Sequence, residues 1–454
     1  MKIHLSPSAQ GDGRELAMRI GFLSLPLHGH LNPMTALARK LQARGNDVVF
    51  IGVPEIEPMV RAAGLAFVSF CEKEYPLGTV EAKWAQVSRL HGLDVVKYTL
   101  ENLSPGLLSA ALEHLPQTIA DNGIDALVLD TVFFFIEVVA INLGIPYVHV
   151  WNVLNLDLTG STPACLLPWP HEATPEALAR NAEGAQQLAR YLAPLAQLGM
   201  AYAEKNELEI DWNNPAATTS KFAIVSQIPR EFDFPGIPWP SQFHYTGPFH
   251  DGQGRRRVGF PWAELNEKPL IYASLGTLVN GLESVYQTIL DAVGPMNDVQ
   301  LVLSVGKNVN LDELGPVPEN AILVTSAPQM EILKRAALCI THAGLNTTLE
   351  SLAQGVPMVA IPIAYDQPGT ASRIAHHGAG EVVQFEDLTV ERLSETVQQV
   401  LTDPAYREKA QYFKRVIAKA RGLDVAAEVV ERAFGKNQVA DSAGEYFEVS
   451  IASD

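Results

Sequence analysis

The chain is poor in cysteine, in basic charge and in long apolar runs, and each shortage removes a class of protein. Its cysteines are Cys71, Cys165 and Cys339, odd in number and far apart. That pattern offers no disulfide framework and no zinc-ligand spacing, and it suits a reducing compartment. Lys and Arg total 33 against 51 Asp and Glu, a net charge of −18. Phosphate backbones and anionic lipid repel such a protein, so nucleic acid and charged membrane surfaces are not the partners expected. A local cleft for a small phosphate ligand stays open. No apolar run approaches the roughly 18 residues of a membrane span. The opening MKIHLSPSAQGDGRELAM lacks the apolar core of a secretory leader, and a cytoplasmic protein is expected. HExxH, GxGxxG, GxSxG, the Walker A pattern and Asp-x-Asp are all missing, which weakens readings as metalloprotease, dehydrogenase, esterase, NTPase or metal-diphosphate enzyme.

What is present is a repeated alternation. A chain of 454 residues exceeds one ordinary core, so two domains are expected. Short apolar runs alternate with amphipathic stretches, the pattern of βα units around a parallel sheet. RIGFLSLP, DVVFIG, DALVLD and IPYVHVW read as strands of the first half; LIYASLG, VQLVLSVG, AILVTSA, ALCITHAG and VPMVAIPI restart the series. HGHLNP reads as a loop, with Asn32 capping a helix and Pro33 at its first position. TVFFFIEVVAINLG reads as one helix. An Ala-rich helical insertion spans about 155–215, and a Pro- and Gly-rich stretch follows. Helices are expected over Thr389–Thr402, Pro404–Lys419 and Asp424–Phe434. The organisation predicted is an N-terminal extension (1–18), a first doubly wound α/β domain (19–233), a linker (234–262), a second such domain with terminal helices (263–436) and an acidic tail (437–454).

Ligands of such sheets sit at the carboxyl ends of the strands. The chemistry-bearing residues fall there. In the second half a strand runs into His342-Ala343-Gly344 and then a helix. A helix start with free N–H groups suits phosphate, and Gly344 would permit close approach. Asn346 and Thr347 lie in that start. Glu350, one turn on, suits a pair of ribose hydroxyls. Equally, Thr347 and Glu350 have capping-box spacing, and His342 has the alternative of a satisfied core histidine. Asp366 and Gln367 are placed to hold vicinal sugar hydroxyls, or Asp366 simply caps a helix.

In the first half His30 and Asp130 end two strands. A His with a carboxylate behind it is the arrangement for taking a proton from a hydroxyl. The plainer alternative makes Asp130 a helix cap and leaves His30 bonded to backbone. His28-x-His30 as a metal pair lacks further ligands, and His376-His377 reads as a solvated face. Phe133, Phe134, Phe135, Trp151 and Trp169 would serve an apolar pocket or the core.

The stretch SAPQMEILKRAALCITHAGLNTTLESLAQGVPMVAIPIAYDQ is similar to the signature box of the family 1 glycosyltransferases, and the likeness runs from HGHLNP through the last helices. That resemblance implies the GT-B fold: two Rossmann-like domains facing a central cleft, the terminal helices packing back toward the first. It implies an inverting, metal-independent enzyme with no cofactor beyond its co-substrate, a UDP- or dTDP-sugar such as UDP-glucose. The acceptor would be a small, largely apolar, hydroxylated molecule such as a flavonoid, carotenoid or macrolide. By resemblance Ala327 and Gln329 meet base and ribose, and His342, Asn346 and Thr347 the phosphates. Glu350 meets the ribose, and Asp366 and Gln367 the sugar. Ser274 and Thr277 touch phosphates and sugar, and Asn152 reaches the donor sugar. The resemblance selects His30 over His28 as the base, oriented by Asp130. Ser326 stands where plant members carry a Trp that stacks on uracil, so the base stays open between uracil and thymine. A nucleotide-sugar epimerase or hydrolase on the same fold, and a non-catalytic binding protein, are the alternatives.

Overall fold

The structure, a computed structural model, describes residues 18–253 and 258–435. The expected tail from 437 and all but the last residue of the expected N-terminal extension lie outside them.

Two parallel sheets organise the chain. The first holds β1 (Arg19–Leu23), β2 (Asp47–Gly52), β3 (Ala66–Ser69), β4 (Ala126–Asp130), β5 (Tyr147–Trp151), β6 (Ile224–Ser226) and β7 (Phe243–Tyr245) in the order β3-β2-β1-β4-β5-β6-β7. The second holds β8 (Leu270–Ser274), β9 (Gln300–Ser304), β10 (Ala321–Val324), β11 (Ala336–Thr341), β12 (Met358–Ala360) and β13 (Gly380–Val382) in the order β10-β9-β8-β11-β12-β13. Leaving β7 aside, the two orders are the same. Strands such as ALVLD, LIYAS and QLVLS are buried at every position. Continuous burial is what helices on both faces of a parallel sheet impose.

Three readings of the sequence are corrected. HGHLNP is not a loop: the helix already starts at His28 and runs to Ala43, with Pro33 inside it and no side-chain cap from Asn32. Pro33 is tolerated because an early turn loses only one backbone hydrogen bond there. TVFFFIEVVAINLG is not one helix. Phe135 takes φ +67, and the helix begins only at Glu137. The stretch 234–262 is not only a linker, because Phe243–Tyr245 pairs with β6 as the edge of the first sheet.

The insertion is dominated by one helix, Pro175–Lys205, started by a Thr174 cap and Pro175. The terminal helices span Val390–Thr402, Pro404–Ala420 and Gly422–Ala433, close to expectation. The last returns to the first domain. Glu431 receives Arg44 (2.8 Å) and Asn46 (2.9 Å), and Asp424 pairs with Lys40 (2.5 Å). A buried ion pair ties the end of the first domain to the second: Arg373 meets Asp233 at 2.6 Å, and it lies over the ring of Phe234, the first linker residue. Asp233 also accepts from Tyr245, so the buried charges are paired and hydrogen-bonded. His376 is exposed, as a solvated face requires, while His377 is half-buried. His376 packs edge-on to His171 and Phe234, and His377 reaches the Phe232 carbonyl and the Phe413 ring. Among the described residues no helix is long and apolar enough to cross a membrane.

Candidate active site

Each sheet reverses its strand order beside its first strand, and each reversal opens a crevice at the carboxyl ends. In the first sheet β1 and β4 are neighbours, with Leu23 opposite Leu129. The chain leaving β1 therefore lies against the end of β4. There His30 Nδ1 is 2.9 Å from Asp130 Oδ2. Asp130 is 1% exposed, and Ser24 Oγ and the Leu25 N–H also donate to it. Burial alone would raise the Asp130 carboxyl, but His30 and these donors outweigh it and hold it below its ordinary value. Burial would likewise lower the His30 imidazole, yet the Asp130 charge and hydrogen bond, helped by Asp366 and Asn152, leave it raised. An ionised carboxylate only accepts, so Nδ1 carries the proton and Nε2 is the basic nitrogen of the neutral ring.

Asn152 follows β5. It is 1% exposed and close enough to His30 and Asp130 to favour their charged forms. Yet neither amide atom completes a hydrogen bond among the described residues. Leaving a buried amide unsatisfied costs about 1–3 kcal/mol per group, which marks the spot as one shaped for something else.

The second sheet repeats the crevice between β8 and β11, where Ser274 lies opposite Thr341. Ala343, just past β11, takes φ +62. The His342 ring that this turn presents is clasped between two glycines. A Cβ on Gly276 would fall 2.7 Å from its Nε2, and one on Gly344 2.4 Å. Gly344 is thus required by the histidine ring itself. Burial drives the imidazole down to about 4, so it is neutral at working pH, and its Nδ1 is buried without a partner.

The helix Leu345–Gln354 starts at Gly344 with no side-chain cap. Thr347 and Glu350 therefore do not form the capping box. Gln329 Nε2 instead donates to Thr347 Oγ1 (3.2 Å) and Glu350 Oε2 (2.7 Å), and Tyr272 donates to Gln329 Oε1 (3.0 Å). The Ala327 carbonyl accepts from the Gln329 N–H, setting that turn. Ser274 is buried, and Thr277 beyond it is exposed.

Asp366 immediately precedes the helix Gln367–His376 but does not cap it. Its Oδ2 crosses to the first domain and accepts from the Leu154 N–H at 2.9 Å. Burial raises this carboxyl, against the opposing pull of that N–H and of His30. Gln367 turns its Oε1 to the Ile363 and Ala364 N–H groups, both at 2.8 Å, and so shapes the loop before Asp366.

Asn346 also crosses. In the helix His28–Ala43 the Gly29 carbonyl would bond the N–H of residue 33, but Pro33 has none. Asn346 Nδ2 takes that carbonyl at 2.7 Å, and Gln227 donates to Asn346 Oδ1 at 3.1 Å. Gln227 also donates to the Asn152 carbonyl. The sequence reading missed Gln227, though its place just after β6 was the available signal. It missed as well the Thr99–Tyr365 hydroxyl pair (2.9 Å), another bond between the halves.

His30, Asp130, Asn152 and Asp366 thus converge from both domains, while Gln329, Thr347 and Glu350 form a separate polar group deeper in the second. Of the aromatic candidates, Phe133 and Trp151 are core. Phe135 packs on Gly199 and Trp212, and Trp169 stacks under Arg180.

Residues 263–427 match the family model described as UDP-glucoronosyl and UDP-glucosyl transferase. The chain is 27% identical over 415 residues to a zeaxanthin glucosyltransferase of Pantoea ananas, covering 90% of this chain and 94% of that one. It is 25% identical over 432 residues to the NDP-glycosyltransferase YjiC of Bacillus subtilis, covering 92% and 98%. Among solved structures, the glycotransferase of kitacinnamycin superposes with a TM-score of 0.67 at 23% identity, over 92% of this chain and 99% of that one.

Proposed function

Because the chain is a family 1 glycosyltransferase of the GT-B type, we propose that it transfers a sugar from a UDP- or dTDP-sugar to a hydroxyl of a small, largely apolar acceptor, with inversion and without a metal. The zeaxanthin enzyme among its relatives supports an apolar acceptor.

The observation that carries this reading is the His30–Asp130 pair lying within electrostatic reach of Asp366 from the opposite domain. Nε2 of His30 takes the acceptor proton as the oxygen attacks the anomeric carbon. Asp130 holds the ring by Nδ1–H and stabilises the imidazolium that forms. The leaving diphosphate lies at the start of the helix Leu345–Gln354, where free N–H groups and the neutral His342 donate to it. Asp366 and Gln367 hold sugar hydroxyls. Asn152 spends its unpaired amide on the sugar beside the base.

His30→Ala tests the assignment. Transfer should fall by roughly 10²- to 10⁴-fold, while donor affinity by calorimetry stays near that of the parent. Transfer at a near-normal rate would show that His30 is not the base. Donor alone serves as the control, because rapid turnover without acceptor would indicate a hydrolase or epimerase instead.

A further inference from the structure

A second constellation lies away from the cleft, in the loop that leaves β3. Cys71 there takes φ +57, a left-handed backbone that non-glycine residues adopt at a cost, and its side chain is turned inward, 5% exposed. The Tyr75 N–H closes the turn on the Cys71 carbonyl at 2.8 Å. Glu74 comes from the same turn. His114 comes from the helix Ser104–Asp121 that packs beside it. One ligand atom of each residue, a thiol sulfur, a carboxylate oxygen and an imidazole nitrogen, lies within 4.8 Å of the other two. His114 Nε2 and Glu74 Oε1 are 3.4 Å apart.

We propose that Cys71, Glu74 and His114 form a binding site for one divalent metal ion of the zinc class, which pins the β3 loop to the helix Ser104–Asp121.

Zinc–ligand bonds of 2.0–2.3 Å in a tetrahedron place donor atoms roughly 3.3–3.6 Å apart. The cluster needs only small side-chain shifts to reach that spacing. Thiolate, imidazole and carboxylate together suit zinc better than magnesium or calcium. One thiolate and one carboxylate neutralise the ion's charge, and a water completes the tetrahedron. One buried polar atom is otherwise unexplained: the hydroxyl of Tyr75, a residue only 5% exposed that lies beside Cys71, has no hydrogen-bond partner among the described residues. His114 Nε2 makes no hydrogen bond there either, and meets Glu74 Oε1 only as an ion-pair contact. The Tyr75 hydroxyl is suited to the metal-bound water. A thiol binds the ion as thiolate, so the sulfur–hydrogen bond is exchanged for a sulfur–metal bond and one H⁺ leaves. Lys83 lies 4.6 Å over the Tyr75 ring.

The placement gives the ion a structural task. The segment after this loop carries first-domain contacts to the second domain: Glu81 pairs with Lys307, the Ser88 carbonyl accepts from the Gly281 N–H (2.9 Å), and Arg89 reaches Glu283 (3.4 Å). Pinning the loop fixes the near end of that strut.

The test is titration of the full-length, chelator-treated protein with Co²⁺, whose bond to a thiolate gives a near-ultraviolet charge-transfer band. The expected result is one equivalent bound, with a thiolate band and one proton released. Cys71→Ser should abolish the band. His114→Gln should lower the affinity at least roughly tenfold. Cys165→Ser should leave both unchanged. His114→Gln alters a partly exposed residue and keeps the test valid if Cys71→Ser fails to fold. The absence of a band in the parent protein, or a band that survives loss of Cys71 or His114 unchanged, would overturn the proposal.

Discussion

The two switch points of this molecule share a topology and differ in electrostatics. At the end of β1 and β4 a histidine and a carboxylate are buried together, and each holds the other in its charged form. At the end of β8 and β11 a histidine is buried with no carboxylate, and burial keeps it neutral down to about 4. The histidines sit on non-equivalent turns, His30 after β1 and His342 after β11, the counterpart of β4; the first is drawn toward its charged form and the second is held neutral. The difference lies in what stands at the neighbouring strand end: Asp130 beside His30, Ser274 beside His342. In the proposed mechanism proton transfer and donor binding fall to different domains, and that separation can be broken one side at a time.

The largest effect is expected on the first side. Asp130→Asn removes the charge that raises His30 but leaves its burial. Transfer should fall by about 10²- to 10³-fold. The pH profile carries the sharper information. In the parent protein the base form is lost as pH falls through a His30 pKa above 6.5, so the acid limb should have its midpoint above that value. In Asp130→Asn burial is opposed only by the lesser influences of Asp366 and Asn152, and the midpoint should move down. A midpoint that stays put would detach His30 from the limb.

A smaller and different effect is expected on the second side. Gly344→Ala brings a Cβ to 2.4 Å from His342 Nε2, so the ring must move. Overpacking of this kind costs about 1–3 kcal/mol. Donor KM should rise by roughly tenfold or more while the acid limb keeps its midpoint. If that midpoint moved as well, the two sides would be coupled more closely than this separation allows.

The smallest effect concerns the bracket that joins them. Pro33→Ala restores an N–H that competes for the Gly29 carbonyl, and Asn346 loses its exclusive partner. One hydrogen bond is worth about 0.5–1.5 kcal/mol, so kcat/KM should change by roughly 2- to 10-fold. The effects of Pro33→Ala and Asn346→Ala should be clearly non-additive in a double-mutant cycle. Simple additivity would show that Asn346 does not act through Gly29.

The sheets were legible in the chain because a parallel strand buried on both faces reads as an unbroken apolar run. LIYAS and ALVLD announce themselves that way, as do the terminal helices by their period. The short edge strand Phe243–Tyr245 was not legible, since three residues among prolines carry no period. The helix start at His28 was misread because Asn32-Pro33 matches the usual cap-and-first-turn pattern. The structure uses that proline one turn later, to free a carbonyl rather than to begin a helix. Likewise Thr347 and Glu350 have capping-box spacing, but Gln329 from another element claims both side chains.

What the chain by itself determined is therefore local: which runs are buried, where turns must fall, and which polar residues stand at strand ends. Tertiary structure alone decided the partners that join the two halves. Asn346 meets Gly29 across 317 residues and Asp366 meets Leu154 across 212, whereas the pairing of His30 with Asp130 was already expected from the sequence. Periodicity reports only neighbours along the chain, whereas a pKa or an unfilled carbonyl depends on whatever group the packed domains bring within hydrogen-bonding distance.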